Sequence, residues 1–201
     1  MEDGLLEHLK SISVAKYILL IDSLKCIPRR IGGNQMRHSL AVFGICLDYE
    51  LYDPVCLKLS LCHDLLEDHP HKSEQYEEIK RQIREADDDG PKVLACVEEI
   101  TIQNGETKED YLKRLEASSN DIMKIIKGAD RISNFTDLNT DFTNLEKIKA
   151  TCIHTREYVI PMLSSVDRFR YQAENMIIEL TDLINNRLSI VEKFEERIKS
   201  L

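Results

Sequence analysis

The spacing of apolar residues constrains this chain more than any other feature. Apolar residues recur every three or four positions along almost the whole sequence, as Leu5, Leu9 and Ile12 do near its start. This spacing places them on one face of an α-helix. No segment alternates apolar and polar residues in the way that a half-buried strand would. The sequence therefore predicts an all-α fold.

Capping residues indicate where several helices begin. Asp53 and Pro54 suit the N-cap and the first helical position, and we expect their helix to continue to about Pro70. A preceding helix is expected from about Asn34 to Asp48. The other helices are expected from Ser73 to Ala86, from Pro91 to Ile100, from Thr107, from Asn120 or Asp121 to Leu138, from the capping box Thr143–Glu146 toward Pro161, and from Asp167 onward.

The length of 201 residues is sufficient for one domain with a sizeable core. We expect a single domain over 1–201, with a motif-bearing core at about 5–165 and a long C-terminal helix at about 167–200. That helix carries a long apolar stripe, which favours packing on the chain's own core and leaves a homo-oligomer open. Because no apolar run approaches the roughly 20 residues of a membrane span and no signal peptide is recognisable, the sequence predicts a cytoplasmic protein without a membrane partner.

The charge and the cysteines exclude two classes of protein. The net charge is −9, from 27 basic and 36 acidic residues, which argues against a general DNA or RNA binder but not against a small anionic ligand. The acidic run Asp87–Asp89 is expected to be a solvated loop. The six cysteines form no Cys-x-x-Cys pair and lie mostly in apolar stretches, so we expect buried, reduced thiols rather than disulfides or a zinc site.

The segment Cys62–Asp68 (CHDLLED) concentrates polar side chains within an apolar stretch. If the helix that begins at Pro54 continues through it, Glu67 lies one turn above His63, and Asp68 lies one turn above Asp64. Buried charge is costly unless it is paired or bound to a metal. The segment therefore predicts a patch that faces a metal ion and a water molecule.

Four side chains are candidate metal ligands: His38, His63, Asp64 and Asp130. Two imidazoles and two carboxylates suit Mn, Fe, Zn or another borderline divalent ion. Such an ion lowers the pKa of its bound water and polarises a phosphoryl group. Each residue also has an ordinary alternative: a helical histidine is often a core or surface residue, and Asp130 with Arg131 can be a surface pair. The combination favours the metal.

Two motifs resemble those of a known family. The segment His63–Asp68 is similar to the HDxxED motif of the bacterial RelA/SpoT-type (p)ppGpp hydrolase domain and its small stand-alone relatives, which belong to the HD phosphohydrolase superfamily. The segment Lys127–Asn134 resembles their KxADRxxN motif. Gly128 stands in it where leucine is common.

Further residues fit the same resemblance, which covers roughly residues 5–165. Arg29 and Arg30 precede His38 by nine and eight residues, where the family has a basic pair. The segment Tyr111–Leu115 also resembles the family sequence before the second motif. Ser39 departs from the family, which usually has proline after this histidine.

The resemblance implies an all-α HD-domain helical bundle and a role for each matching residue. The implied ligands of Mn²⁺, or of another divalent transition metal, are His38, His63, Asp64 and Asp130. Glu67 and Asp68 are implied to orient and deprotonate the attacking water. The implied substrate contacts are Arg29, Arg30 and Asn134 for the nucleotide, with Lys127 and Arg131 for phosphate.

The implied activity is that of a (p)ppGpp 3′-pyrophosphohydrolase, which releases pyrophosphate and leaves GDP or GTP. No synthetase domain is recognisable, so we expect hydrolysis alone. One alternative is an HD phosphohydrolase that acts on a nucleoside monophosphate or on NADPH. Another is a nucleotide-binding protein without turnover, against which Glu67 and Asp68 argue, because a binder needs no carboxylates beyond the metal ligands.

Overall fold

The computed structural model describes residues 12–29, 32–67, 69–138 and 144–200. Within these ranges every regular element is helical and no strand is present, so the predicted all-α class is confirmed. An isolated antiparallel bridge joins Pro28 to Asn34. None of the described helices combines the length with the hydropathy that crossing a membrane requires. The HD-domain arrangement of the helices stays a prediction.

The chain divides into an N-terminal unit, Met1–Glu106, and a C-terminal unit, Thr107–Leu201. That the two form one domain stays a prediction. The helices of the N-terminal unit are α1 (Ala15–Leu20), a 3₁₀ helix (Ile21–Cys26), α2 (Gln35–Asp48), α3 (Pro54–Cys62), α4 (Glu74–Arg84) and α5 (Gly90–Ile100). Those of the C-terminal unit are α6 (Lys108–Ala117), α7 (Asp121–Leu138), α8 (Leu145–His154), a π-helical turn (Thr155–Val159), α9 (Ile160–Ser164) and α10 (Arg170–Lys199).

The capping residues act as their types predict. The Asp53 carboxylate accepts hydrogen bonds from the amides of Val55 and Cys56, at 2.9 and 3.1 Å, and Pro54 opens α3. Asn34 caps α2. The N-caps of the other helices include Ser73, Thr107 and Asn144. The capping box predicted at Thr143 falls outside the described residues, but Asn144 in the same stretch is the N-cap.

The predicted end of α3 is wrong. The helix stops at Cys62 instead of continuing to about Pro70. After it the backbone makes shorter-range hydrogen bonds, from the Leu65 amide to the Cys62 carbonyl and from the Glu67 amide to the Asp64 carbonyl, both 3.0 Å long. Bonds between residues three apart tighten the chain into turns. The expected alignment of Glu67 over His63 therefore does not apply, because it required an α-helix, and that of Asp68 over Asp64 falls outside the described residues.

The acidic run after α4 is not simply a solvated loop, contrary to expectation. The Lys58 ammonium of α3 is buried and binds Asp87 at 2.8 Å and Asp89 at 2.7 Å. The Tyr17 hydroxyl of α1 donates to Asp87 at 2.8 Å. Burial raises the pKa of Asp87, but the hydrogen bonds from Lys58 and Tyr17 lower it more, so that it stays below its usual value. This cluster joins α1 and α3 to the turn before α5.

The long apolar stripe of α10 packs within the C-terminal unit over most of its length, as expected. Met176, Leu180, Ile184 and Val191 are buried, and α10 contacts α7 and α8. Beyond Val191 the stripe continues on exposed residues. The packing of α10 against its own unit accounts for most of the stripe without a partner helix.

The cysteines agree largely with the prediction of reduced, buried thiols. All six lie in the described part of the chain, none forms a disulfide, and every one except Cys26 is buried. Burial raises the pKa of the Cys46 thiol to about 12 and raises that of Cys62 as well. The Cys62 thiol, next to His63, is therefore harder to deprotonate than an exposed cysteine.

Candidate metal centre

His63 follows directly after the last residue of α3 and is 1% exposed. Its Nδ1 atom lies 2.8 Å from the backbone carbonyl oxygen of Ser60. Because a carbonyl only accepts hydrogen bonds, Nδ1 must carry the proton. In the neutral imidazole the lone pair is then on Nε2, which is the arrangement that a histidine metal ligand needs.

His38 lies on the preceding helix, α2, and its ring faces this lone pair. The Nε2 atoms of His38 and His63 are 3.3 Å apart, and the two rings meet edge to face at an angle of 64°. His38 is 4% exposed. The packing of α2 against α3 therefore brings two buried imidazole nitrogens within range of one small ion.

Asp64 supplies a carboxylate to the same place. Its Oδ1 lies 3.2 Å from Nε2 of His63, and its Oδ2 lies 3.4 Å from Nε2 of His38. Its side chain is 16% exposed, so water reaches this edge of the cluster. A metal ion among these donor atoms would offset the mutual repulsion of their lone pairs.

Asp130 lies in the middle of α7 in the C-terminal unit and is 3% exposed. Lys127 donates to its Oδ2 at 2.7 Å, and Asn134 donates to its Oδ1 at 2.6 Å. The Lys127 ammonium also lies 5.4 Å from the centre of the Tyr111 ring. Because a carboxylate offers about four lone-pair positions, these two bonds orient Asp130 and leave it able to bind an ion.

Three of the predicted ligand residues, His38, His63 and Asp130, are buried side chains that could hold a metal ion. Asp64 adds a second carboxylate. The donors are two imidazole nitrogens and carboxylate oxygens, which is the mixed set that suits Mn²⁺, Fe²⁺ or Zn²⁺. The chemistry of the donors therefore fits the predicted cofactor, although it does not select one metal.

The remaining predicted site residues differ in their exposure and in their contacts. Glu67 is exposed. The guanidinium of Arg29 donates to the Gln35 side chain at 2.8 Å, three residues before His38 on α2. Arg131 is 5% exposed on α7. Arg30 and Asp68 fall outside the described residues.

Two contacts of predicted site residues were not predicted from the sequence. Ser60 fixes the protonation of His63, and Gln35 holds Arg29 beside the helix that carries His38. The contact of Ser60 with His63 could have been inferred from their spacing of three residues, but that spacing predicts the contact only at the end of a helix. Lys127 and Asn134 were assigned to substrate. Both contact Asp130, and their role toward a nucleotide stays a prediction.

Comparison with known proteins does not assign the chain to a family. No family model matches it, and no curated protein matches it. The fold and the site define a class: an all-helical protein with buried histidine and aspartate side chains that could hold a metal ion. The likeness to the HD phosphohydrolases remains a resemblance of motifs.

Proposed function

We propose that the protein is a metal-dependent phosphohydrolase whose substrate is (p)ppGpp or a similar nucleotide. One observation carries the proposal: the Nε2 atoms of His38 and His63 and the carboxylate of Asp64 converge within 3.2–3.4 Å of one another in a largely buried position. The motif resemblance supplies the choice of substrate.

The metal, when bound, lowers the pKa of water and offsets negative charge on a phosphoryl group. The protein's own residues hold the ligand atoms in position to bind the metal. Ser60 keeps the Nε2 lone pair of His63 available, and the packing of α2 on α3 places His38 opposite it. Asp130 is the fourth ligand in this proposal, and its orientation by Lys127 and Asn134 supports that role.

Glu67 is the proposed base for the attacking water, with Asp68 as its partner. Its exposed position after the turn at Asp64 is compatible with contact to solvent. The water adds to the phosphorus attached to the 3′ oxygen, the bond between that phosphorus and the 3′ oxygen breaks, and one proton passes to the departing nucleotide. The products are GDP or GTP and pyrophosphate. Arg29 and Arg30 are proposed to hold the nucleotide, since guanidinium groups bind phosphate and stack on bases.

Metal analysis tests the site. Asp64→Ala should lose Mn²⁺ on dialysis and lose hydrolysis, and Asp130→Ala should do the same if Asp130 is a ligand. Asp88→Ala is the matched control, because Asp88 is an exposed aspartate of the N-terminal unit. Elemental analysis of the purified variants measures the metal. Full hydrolytic activity in chelator-treated parent protein would refute the proposal.

A substrate panel tests the chemistry. With Mn²⁺ present, the parent should convert ppGpp to GDP and pyrophosphate, and Glu67→Gln should keep its metal but lose about 10²–10⁴-fold in rate. Orthophosphate released from a nucleoside monophosphate or from NADPH, with ppGpp untouched, would keep the hydrolase class and replace the substrate. Nucleotide binding without any turnover would leave only a binding protein.

A further inference from the structure

Arg37 stands directly before His38 in the sequence, and neither the motifs nor the metal cluster assigns it a role. It lies in the first turn of α2, and its side chain is exposed. The Asn34 side chain accepts a hydrogen bond from its backbone amide at 2.9 Å, which fixes the position of this turn. No carboxylate of the described residues pairs with the Arg37 guanidinium. Its charge is therefore available to a ligand.

The side chain of Arg37 folds back over the turn that precedes α2. A Cβ atom built on Gly33 would lie 3.0 Å from Cδ of Arg37 and 3.0 Å from its Nη1. Gly33 has a φ of 74°, which lies in the left-handed region that favours glycine. The absence of a side chain at this position therefore serves the turn and also leaves space for the guanidinium to lie against it.

The same turn carries Arg29. The amide of Arg29 donates to the carbonyl of Gly33 at 3.1 Å, and the amide of Gln35 donates to the carbonyl of Ile27 at 3.0 Å. The Arg29 guanidinium donates to the Gln35 side chain at 2.8 Å. One closed turn therefore holds both Arg29 and Arg37, and guanidinium groups are well suited to phosphate oxygens.

Arg37 points in a different direction from the metal ligand that follows it. The Cα atoms of Arg37 and His38 are about 3.8 Å apart, but successive side chains of an α-helix point about 100° apart around its axis. His38 is 4% exposed and faces His63, whereas Arg37 is exposed and lies over Gly33. Arg37 therefore lies beside the metal cluster and not in it. From there it can bind a second anionic group of a substrate whose reacting phosphorus is at the metal.

We propose that Arg37 determines the specificity of the site by binding the 5′-phosphate groups of the nucleotide. This inference rests on the proposed function, in which the 3′ group of the substrate is at the metal and Arg29 and Arg30 hold the nucleotide. (p)ppGpp carries phosphate groups at both its 5′ and its 3′ positions. A nucleotide with a 3′ group alone lacks the contact with Arg37 and binds less tightly.

The binding test compares GDP with guanosine on the full chain, with chelator present. Neither compound carries a 3′ phosphate group, so hydrolysis plays no part, and isothermal titration calorimetry gives both dissociation constants. The parent should bind GDP more tightly than guanosine. Arg37→Gln should weaken GDP binding about tenfold or more, the effect of one lost charge-assisted hydrogen bond, and leave guanosine binding unchanged. Arg84→Gln, which removes an exposed arginine of α4, is the matched control and should bind both compounds like the parent.

Two glycine variants test the position of the Arg37 side chain. Gly32→Ala and Gly33→Ala both strain the backbone, because the φ angles are 97° and 74°. A Cβ atom at Gly32 meets no atom within 4 Å, whereas one at Gly33 displaces Arg37. Gly33→Ala should therefore weaken GDP binding more than Gly32→Ala does, and this difference should disappear when each is combined with Arg37→Gln. Equal GDP binding by the two single alanine variants would contradict the proposal.

Hydrolysis distinguishes this inference from the proposed function. With Mn²⁺ and ppGpp, Arg37→Gln should keep its metal and raise KM far more than it lowers kcat. If the parent cleaves ppGpp but GDP binding does not depend on Arg37, the proposed function stands and this inference is wrong. If GDP binding depends on Arg37 but ppGpp is not cleaved, the 5′-phosphate site stands and the proposed substrate is wrong. A parent that binds GDP no more tightly than guanosine overturns the inference.

Discussion

Gly128 allows a close approach of three helices beside the candidate site, and replacing it tests how tightly they pack. A Cβ atom at this position would lie 2.9 Å from Cδ2 of Leu163 and 3.1 Å from Sδ of Met176. Both neighbours are buried, at 1% and 0% exposure. Gly44 on α2 is the matched control, since a Cβ there meets no atom within 4 Å.

Both substitutions by alanine gain helix propensity, and only Gly128→Ala adds a cost of overpacking. In the interior of a helix, alanine is favoured over glycine by about 1 kcal/mol. Gly44→Ala should therefore raise the free energy of unfolding by about 1 kcal/mol. At Gly128 the same gain is opposed by overpacking, which costs about 1–3 kcal/mol. The net effect of Gly128→Ala should lie between about zero and a loss of 2 kcal/mol.

Urea unfolding followed by circular dichroism measures both free energies, with the slope against urea checked for equality among the proteins. The informative quantity is the difference between the two variants, expected to be about 1–3 kcal/mol. In a chain of this length it corresponds to roughly 2–4 °C of melting temperature per kcal/mol. Equal stabilisation by the two alanines would refute the close packing of α7 against Leu163 and Met176.

Two further predictions concern buried polar groups of the N-terminal unit. Lys58→Met should cost about 2–3 kcal/mol, less than a fully buried pair because Asp87 and Asp89 are 21% and 30% exposed. The pKa of Asp87 is lower in the folded protein than its value of 3.8 in the unfolded chain. The stability lost in Lys58→Met should therefore be largest above pH 3.8 and disappear as the pH falls through the pKa of the folded state. Unfolding measured from neutral to acid pH checks this. Ser39→Ala should stabilise the protein by about 1 kcal/mol in urea unfolding, because the buried Ser39 hydroxyl has no hydrogen-bond partner among the described residues. A loss of stability would show that this hydroxyl is paired.

The helix starts were predictable because each depends on a few adjacent residues. A side-chain oxygen stands directly before the amides from which it accepts hydrogen bonds at Asp53, Ser73 and Thr107. Pro54 follows Asp53 at the first helical position. The apolar spacing likewise gave the helical class and the buried stripe of α10. These signals are local, so that one sequence is enough to recognise them.

Partners that are distant in the sequence could not be predicted in the same way. Lys58 lies in the apolar run of α3, and nothing beside it indicates that its ammonium binds carboxylates 29 and 31 residues later. The acidic run Asp87–Asp89 was accordingly expected to be solvated. Arg187 gives a similar case, since it follows Asn185 and Asn186 in the sequence and nothing beside it indicates that its side chain is buried.

The early end of α3 accompanies the hydrogen bond that sets the tautomer of His63. In a continuous helix the carbonyl of Ser60 would accept the amide hydrogen bond from Asp64, four residues later. Because α3 ends at Cys62, the carbonyl of Ser60 lies in the last turn, where the regular pattern of amide partners four residues later stops. The Ser60 carbonyl instead accepts from Nδ1 of His63 at 2.8 Å, which leaves the lone pair of Nε2 facing His38 and Asp64. In the longer helix predicted from the sequence, the two lone pairs of that carbonyl would have been shared between the Asp64 amide and Nδ1 of His63.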